Sequence, residues 1–285
     1  MQYREFSPEA FLSRHIECIW ELELLPNTVN HTFENLSPDC TFDLILCPSH
    51  LWIQFTHKGK WEKLPASATL IGQRTSGMRF HVLHPTRLLG IRFKPFAFAN
   101  LLTIPMYKLT DRLIPLHSVF PHTPKELTTN ILREKDPDQR IKQMEHLLSL
   151  LFDEQWELDE TFRAQLNFIL NRKGLVQIKD LTAEFETSKV TLSQHFLKKM
   201  GLTPKTVSRI WRLNYFLQVQ NEKKLATLTA MGLEVGYYDQ AHCIKEFQSF
   251  FQHSPLQYFQ RNSQLLKISQ GIIDRRFSNY YDPRM

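Results

Sequence analysis

Four cysteines occur in the 285 residues, and no close pair of them is backed by a histidine or a second cysteine pair. Cys18, Cys40, Cys47 and Cys243 therefore lack the spacing that zinc requires, and no metal or other cofactor is expected. No apolar stretch reaches membrane-spanning length. The opening MQYREFSPEAFLSRHIE contains no apolar export run. A cytoplasmic protein with free thiols, not engaged with a membrane, is the expectation.

Catalytic groupings are scarce as well. His31, His50, His57, His81, His84 and Asp43 are scattered without a tight ligand motif, and His81 and His84 would point to different sides of a strand. Asp39 and Asp43 make a carboxylate pair only if folding brings them together, and a turn carboxylate in PDC is the preferred reading. No catalytic residue is assigned. The alternative, a metal-dependent small-molecule enzyme in the N-terminal half, requires two or three histidines and a carboxylate to converge.

A hydrophobic content of 42% is enough to fill substantial cores, and the length fits two domains. Charge is unevenly spread. From Arg172 onward there are 17 basic and 9 acidic residues, whereas residues 1–171 hold 18 and 20. A basic C-terminal part beside a near-neutral N-terminal part suits a polyanion-binding module joined to a separate domain.

In the N-terminal half, a short helix around Phe11 and Leu12 is expected to run into a strand at WELEL (20–24). TFDLILC (41–47), LWIQFTH (51–57), SATLIGQ (67–73), MRFHVLH (78–84) and LLGIRFKPF (88–96) follow as further strands. Trp52, Ile53, Phe55 and Trp61 need neighbours to cover them, which a small antiparallel barrel or sandwich would supply. After Pro95 the texture turns helical, first in FAFANLL (96–102) and then over 124–135 and 137–152. Arg79, Arg92 and Lys94 are candidate anion contacts, with strand-edge surface charge as the simpler reading. The ligand-binding residues of this half are otherwise not legible.

The C-terminal half repeats a pattern. Ile178, Leu181 and Phe185 fit one face of a short helix; Ser188 then starts a second helix with Leu192 and Phe196 inward. A long helix spans about Pro204 to Glu222. Leu228, Met231 and Val235 next form a short helix, Gly236 permits a turn, and Asp239 caps a helix with Cys243 and Phe247 inward. The outward groups are Lys189, Val190, Ser193, Gln194 and Lys198 in the first copy. They are Gln240, Ala241, Ile244, Lys245 and Gln248 in the second. An apolar side to anchor a helix and a polar side of amides and lysines is what major-groove reading needs. Two such helices would read segments about one turn of DNA apart, roughly 34–36 Å.

GYYDQAHCIKEFQSFFQHSPLQYF and SKVTLSQHFLKKMGLTPKTVSRIWRL resemble the DNA-binding domain of the AraC/XylS family of bacterial transcription regulators, from about Phe162 to Tyr258. PDCTFDLIL (38–46) and LLGIRFKPFAFANLL (88–102) resemble an N-terminal domain found on some such regulators, a cupin-like sensor or dimerisation domain. The resemblance places the base-contacting face on Val190, Ser193 and Gln194, then on Gln240, Ala241, Ile244 and Lys245. Departures from the family pattern are Thr182 and Gly232, which replace a small alanine, and Glu186 and Gln252–His253, which stand where glycine is common.

The expected fold class is α+β: a small antiparallel β barrel of cupin type with helices over 1–155, and an all-α domain with two helix-turn-helix units joined by a long helix over 156–262. A C-terminal tail, partly helical, covers 263–285. The expected function is a sequence-specific transcription regulator and not an enzyme, with double-stranded DNA as partner. A small-molecule effector, a homodimer and a contact with RNA polymerase are compatible partners. A protein-interaction module with a degenerate DNA-binding domain is a further alternative.

Overall fold

The structure is a computed structural model and describes residues 2–24, 32–48, 51–99, 101–152, 159–222, 227–260 and 271. In chain order the strands are β1 (Gln2–Phe6), β2 (Ile16–Leu24), β3 (Thr32–Leu36), β4 (Phe42–Leu46), β5 (Leu51–Phe55), β6 (Glu62–Lys63), β7 (Ala68–Ile71), β8 (Met78–Val82), β9 (Thr86–Phe93) and β10 (Leu113–Pro115). They form a six-stranded sheet, β1-β2-β9-β4-β7-β10, and a four-stranded sheet, β3-β8-β5-β6, with antiparallel pairing throughout.

Period-two alternation decides what each face of the larger sheet covers. On β2, Cys18, Trp20, Leu22 and Leu24 join the core shared with the second sheet and Ile19 joins the opposite one, as does Ile16, which lies before a register shift at Cys18. On β4 and β9, Phe42, Leu44, Leu46, Leu89, Ile91 and Phe93 likewise point away from the second sheet. That outer face is covered by α2 (Lys125–Arg133) and α3 (Pro137–Leu151), through Ile131, Met144, Leu147 and Leu148. The result is three layers: helices, the six-stranded sheet and the four-stranded sheet.

The expected barrel, and with it the cupin-like fold, is corrected by this topology. The larger sheet ends at β1 and β10 and the smaller at β3 and β6, so neither closes. The reason is visible in β4, where every residue of FDLIL is buried. Helices occupy one face and a second sheet the other, so apolar cover is complete without closure.

Other local expectations shift for related reasons. Residues 96–99 form successive tight turns rather than a helix, with the Ala97, Ala99 and Leu101 N–H groups donating to the carbonyls of Lys94, Phe96 and Phe98. Phe96 packs in the C-terminal core and Phe98 in the N-terminal one, so the segment serves two cores and no single helical face suits it. The early helix shrinks to one 3-10 turn, Leu12–Arg14, because Ile16 onward is claimed by pairing with β9. Glu21, buried beneath the helices, accepts hydrogen bonds from Arg4 at 2.7 Å and from the buried Arg140, and forms an ion pair with Arg87 at 3.0 Å.

Beyond α1 (Leu116–Val119), α2 and α3, the C-terminal half is helical: α4 (Glu160–Leu170), α5 (Ile178–Glu184), α6 (Lys189–Met200), α7 (Pro204–Glu222), α8 (Leu228–Glu234), α9 (Gln240–Phe251) and α10 (Pro255–Gln260). Its core includes Leu166, Leu192, Phe196, Trp211, Phe216 and Phe247, and the indole N–H of Trp211 donates to Leu170 O at 3.0 Å. The expected domain boundary at 155/156, His31, His50 and all of the tail 263–285 except Gly271 lie outside the described residues.

The two halves meet through buried polar contacts. Asn214 of α7 donates to Pro38 O at 2.8 Å and accepts from the Ser37 hydroxyl at 2.9 Å. Phe250 O of α9 accepts from Gly77 N and the Thr56 hydroxyl, both at 2.8 Å. Gly201 O, just past α6, accepts from the Thr110 hydroxyl at 2.8 Å.

Candidate nucleic-acid interface

The first candidate surface is built by α6. Ser188 caps it, accepting from Thr191 N at 3.0 Å, and Gly201 ends it with φ of 85°. Leu192, Phe196 and Met200 recur every four residues and are buried, which turns the remaining faces outward. Lys189, Val190, Gln194 and Lys198 are exposed, and Ser193 is half-buried. Val190 is 65% exposed although it is apolar, a feature without an internal packing role.

The second surface is built by α9 in the same way. Asp239 caps it, accepting from His242 N at 2.6 Å, and Cys243, Phe247, Phe250 and Phe251 are buried. Gln240, Ala241, Lys245 and Gln248 are exposed and Ile244 is half-buried. Gln240 is not wholly free: its Oε1 accepts from the Thr229 hydroxyl of α8 at 3.0 Å. Gly236 has φ of 74°, so the expected glycine turn forms.

Several supporting residues carry no local signal in the sequence. Arg209 of α7 donates from Nε to Glu246 at 2.8 Å and from Nη2 to Ser249 at 2.9 Å, binding α9 to the linking helix. Lys199, next to Lys198 on α6, pairs with Asp159 at 2.7 Å. Although burial opposes its charge, Lys199 and the Phe162 N–H hold the Asp159 carboxyl below the usual range. Burial, reinforced by Lys199 and Lys198, lowers the pKa of His195 against the pull of Asp159. Lys199 and Asp159 are 40 positions apart and Arg209 and Glu246 are 37 apart, so helix periodicity alone does not pair them.

The N-terminal candidates do not converge. Arg92 pairs with Asp43 at 3.0 Å between the sheets, whereas Arg79 meets Gln54 and His253 at the other half. Asp39 pairs with Arg74 at 2.6 Å, so Asp39 and Asp43 each have their own arginine and do not share a proton as a dyad. His57 contacts Ser76, and His81 packs against Trp61. Among the described residues no group of three His, Cys, Asp or Glu is placed to hold a metal ion. No described helix is long and apolar enough to cross a membrane.

The fold and surfaces of residues 178–260 define paired helix-turn-helix units. The family described as "Helix-turn-helix domain" matches residues 181–261. The family described as "Domain of unknown function (DUF6597)" matches residues 4–115. None of the curated proteins matches. Solved structures of ToxT from Vibrio cholerae are similar. One crystal form (P21) is 8% identical with a TM-score of 0.48, covering 90% of this chain and 98% of that one. An apo point variant from strain SCE256 is 13% identical with a TM-score of 0.46, covering 86% and 97%.

Proposed function

We propose that the chain is a sequence-specific DNA-binding transcription regulator of the AraC/XylS type, not an enzyme. The observation that carries this reading is the repetition. Two successive units each bury one side of a 12-residue helix and expose amides, lysines and small apolar groups on the other. The 19-residue α7 joins them. In this reading Val190, Ser193, Gln194, Gln240, Ala241, Ile244 and Lys245 contact base edges, where an amide can meet adenine with two bonds. Lys189, Lys198 and Gln248 hold phosphates and fix the register.

The division of labour assigned here is sensing or dimerisation in residues 1–155 and DNA binding in 156–262. An effector acts only if its affinity differs between DNA-competent and incompetent arrangements. The contacts of Ser37, Thr56, Gly77 and Thr110 with the helical half supply a physical route for such a difference. Pairing of two chains would double the length of DNA read, and a contact with RNA polymerase is compatible with the same arrangement.

Footprinting on genomic fragments tests the reading. Protection of discrete sites, weakening steeply with salt, is expected. Uniform protection of all fragments would end the case for sequence-specific regulation.

A further inference from the structure

A cavity of ≈ 90 Å³ lies between the two sheets of the N-terminal half. Most of its wall is apolar, including Leu22, Ile45, Ile53, Ile71 and Phe80. Three residues that line it keep a buried N–H group without a partner: Trp20 at Nε1, Arg74 at Nη1 and Arg92 at Nη1. A buried donor left unsatisfied costs about 1–3 kcal/mol, and more when charged. Three around one cavity mark it as a place for an acceptor.

Trp20 is held there by a backbone device. It pairs across the strands with Gly90, and a Cβ on Gly90 would lie 1.9 Å from its indole ring. Only glycine lets the indole lie flat on β9 at this point. Arg92, two residues beyond Gly90 on β9, lines the same cavity.

The charge already present decides what kind of acceptor fits. Arg74 is bonded to Asp39 and Arg92 to Asp43, and all four line the cavity. Burial opposes the charge of Arg92, but Asp43, Asp39 and Glu17 outweigh it and hold its pKa well above the ordinary value. An incoming anion would meet Asp39 and Asp43 in a poorly hydrated site. A neutral carbonyl oxygen accepts from the same N–H groups and adds no charge.

We propose that this cavity binds a small, uncharged, mostly apolar molecule through a hydrogen-bond-accepting oxygen. Cavities of about 150 Å³ take up the six heavy atoms of benzene, so about four heavy atoms, or the head of a larger molecule, suit this smaller one. The wall is joined to the helical half, because Ser37, which lines the cavity, bonds to Asn214 of α7. Treating the occupant as an effector rests on the DNA-binding reading above, whereas binding itself is measured without DNA, so the two fail separately.

The test uses three probes of one shape on the full chain: 2-pentanone, 2-methyl-1-pentene, which replaces the oxygen by a methylene, and butyrate, which adds charge. Binding is followed by the indole N–H resonances in amide-detected NMR, with Trp20→Phe identifying the Trp20 signal. The ketone is expected to move that signal and to bind roughly tenfold more tightly than either other probe. Trp20→Phe should weaken the ketone severalfold and leave the alkene unchanged. Leu88→Phe, which fills the cavity from β9, should abolish ketone binding in a folded chain even if Trp20→Phe does not fold. Equal binding of ketone and alkene overturns the proposal. So do tighter binding of butyrate and the absence of ketone binding at millimolar concentrations.

Discussion

The two helix-turn-helix units solve the same backbone problem with opposite residues. Each needs a left-handed residue in the turn before its outer helix and another just after it. The first unit has Glu186 (φ 44°) in the turn and Gly201 (φ 85°) at the end. The second has Gly236 (φ 74°) in the turn and Gln252 (φ 59°) at the end. Glycine adopts this region without steric cost, whereas other residues meet their own carbonyl. Each unit therefore has one relaxed and one strained joint, in reversed order. The comparison teaches that a repeat can preserve backbone geometry where it does not preserve residue type.

Their cores differ too. Phe196 meets the ring of Phe162, whereas Phe247 lies among Phe216, Phe251, Tyr258 and Phe259. Breaking these cores gives the largest expected effect. Phe196→Ala and Phe247→Ala should each cost about 3–5 kcal/mol, with Phe247→Ala the greater loss, read from urea unfolding midpoints. Equal losses would show that the aromatic cluster adds nothing beyond burial.

Next come the outward faces. Gln194→Ala and Gln240→Ala should each weaken a footprinted site by about 1–3 kcal/mol while unfolding midpoints stay unchanged. Because Thr229 holds Gln240, that side chain is partly preorganised, and its loss should alter base preference more sharply than loss of Gln194. Lys198→Ala should weaken all sites alike and flatten the salt dependence by about one unit of slope.

The reversed joints offer a finer test. Gln252→Gly relieves a left-handed residue and should add up to about 1 kcal/mol. Gly201→Ala should lose more than that, because the new Cβ would lie 2.5 Å from the Thr110 hydroxyl and 2.8 Å from Met106 O. Thermal unfolding of both variants checks the pair, and a stabilising Gly201→Ala would contradict the account. Gly232→Ala should also gain about 1 kcal/mol, since its Cβ would meet Cys243 Cβ at an ordinary 3.4 Å.

The smallest effect is a pH dependence that again separates the units. Burial lowers the pKa of His195 in the first, and burial with Arg79 lowers that of His253 beside the second. Both folded values lie below the unfolded one, about 6.5. Their stabilisation is therefore complete above that pH and declines as pH falls toward the folded values. The melting temperature should drop between pH 7.5 and 5.5, and His253→Gln should remove part of the drop. A flat profile would mean that these groups titrate as in the unfolded chain.

Much of the helical half was legible because its signals are local. Leu192 and Phe196, Cys243 and Phe247, and the caps Ser188 and Asp239 all act within a few residues. The departures at Glu186 and Gln252 were legible as unusual residues; the positive φ that gives them meaning was not. The N-terminal half gave strand positions by alternation, yet missed β1, β3, β6 and β10. β1 is half exposed, and β10 is three residues long with a proline at its end, so their identity comes from a distant partner.

Sequence by itself determined the alternation of the strands, the repeated helices and the outward placement of their lysines and amides, because turns, caps and periodic burial act over neighbouring residues. Tertiary structure alone decided that the sheets stay open, that Arg74 meets Asp39 and Arg92 meets Asp43, and that Asn214 is tied to Ser37. Those outcomes depend on which distant segments cover each face and on charges that must find partners once buried. No short window of sequence contains either quantity.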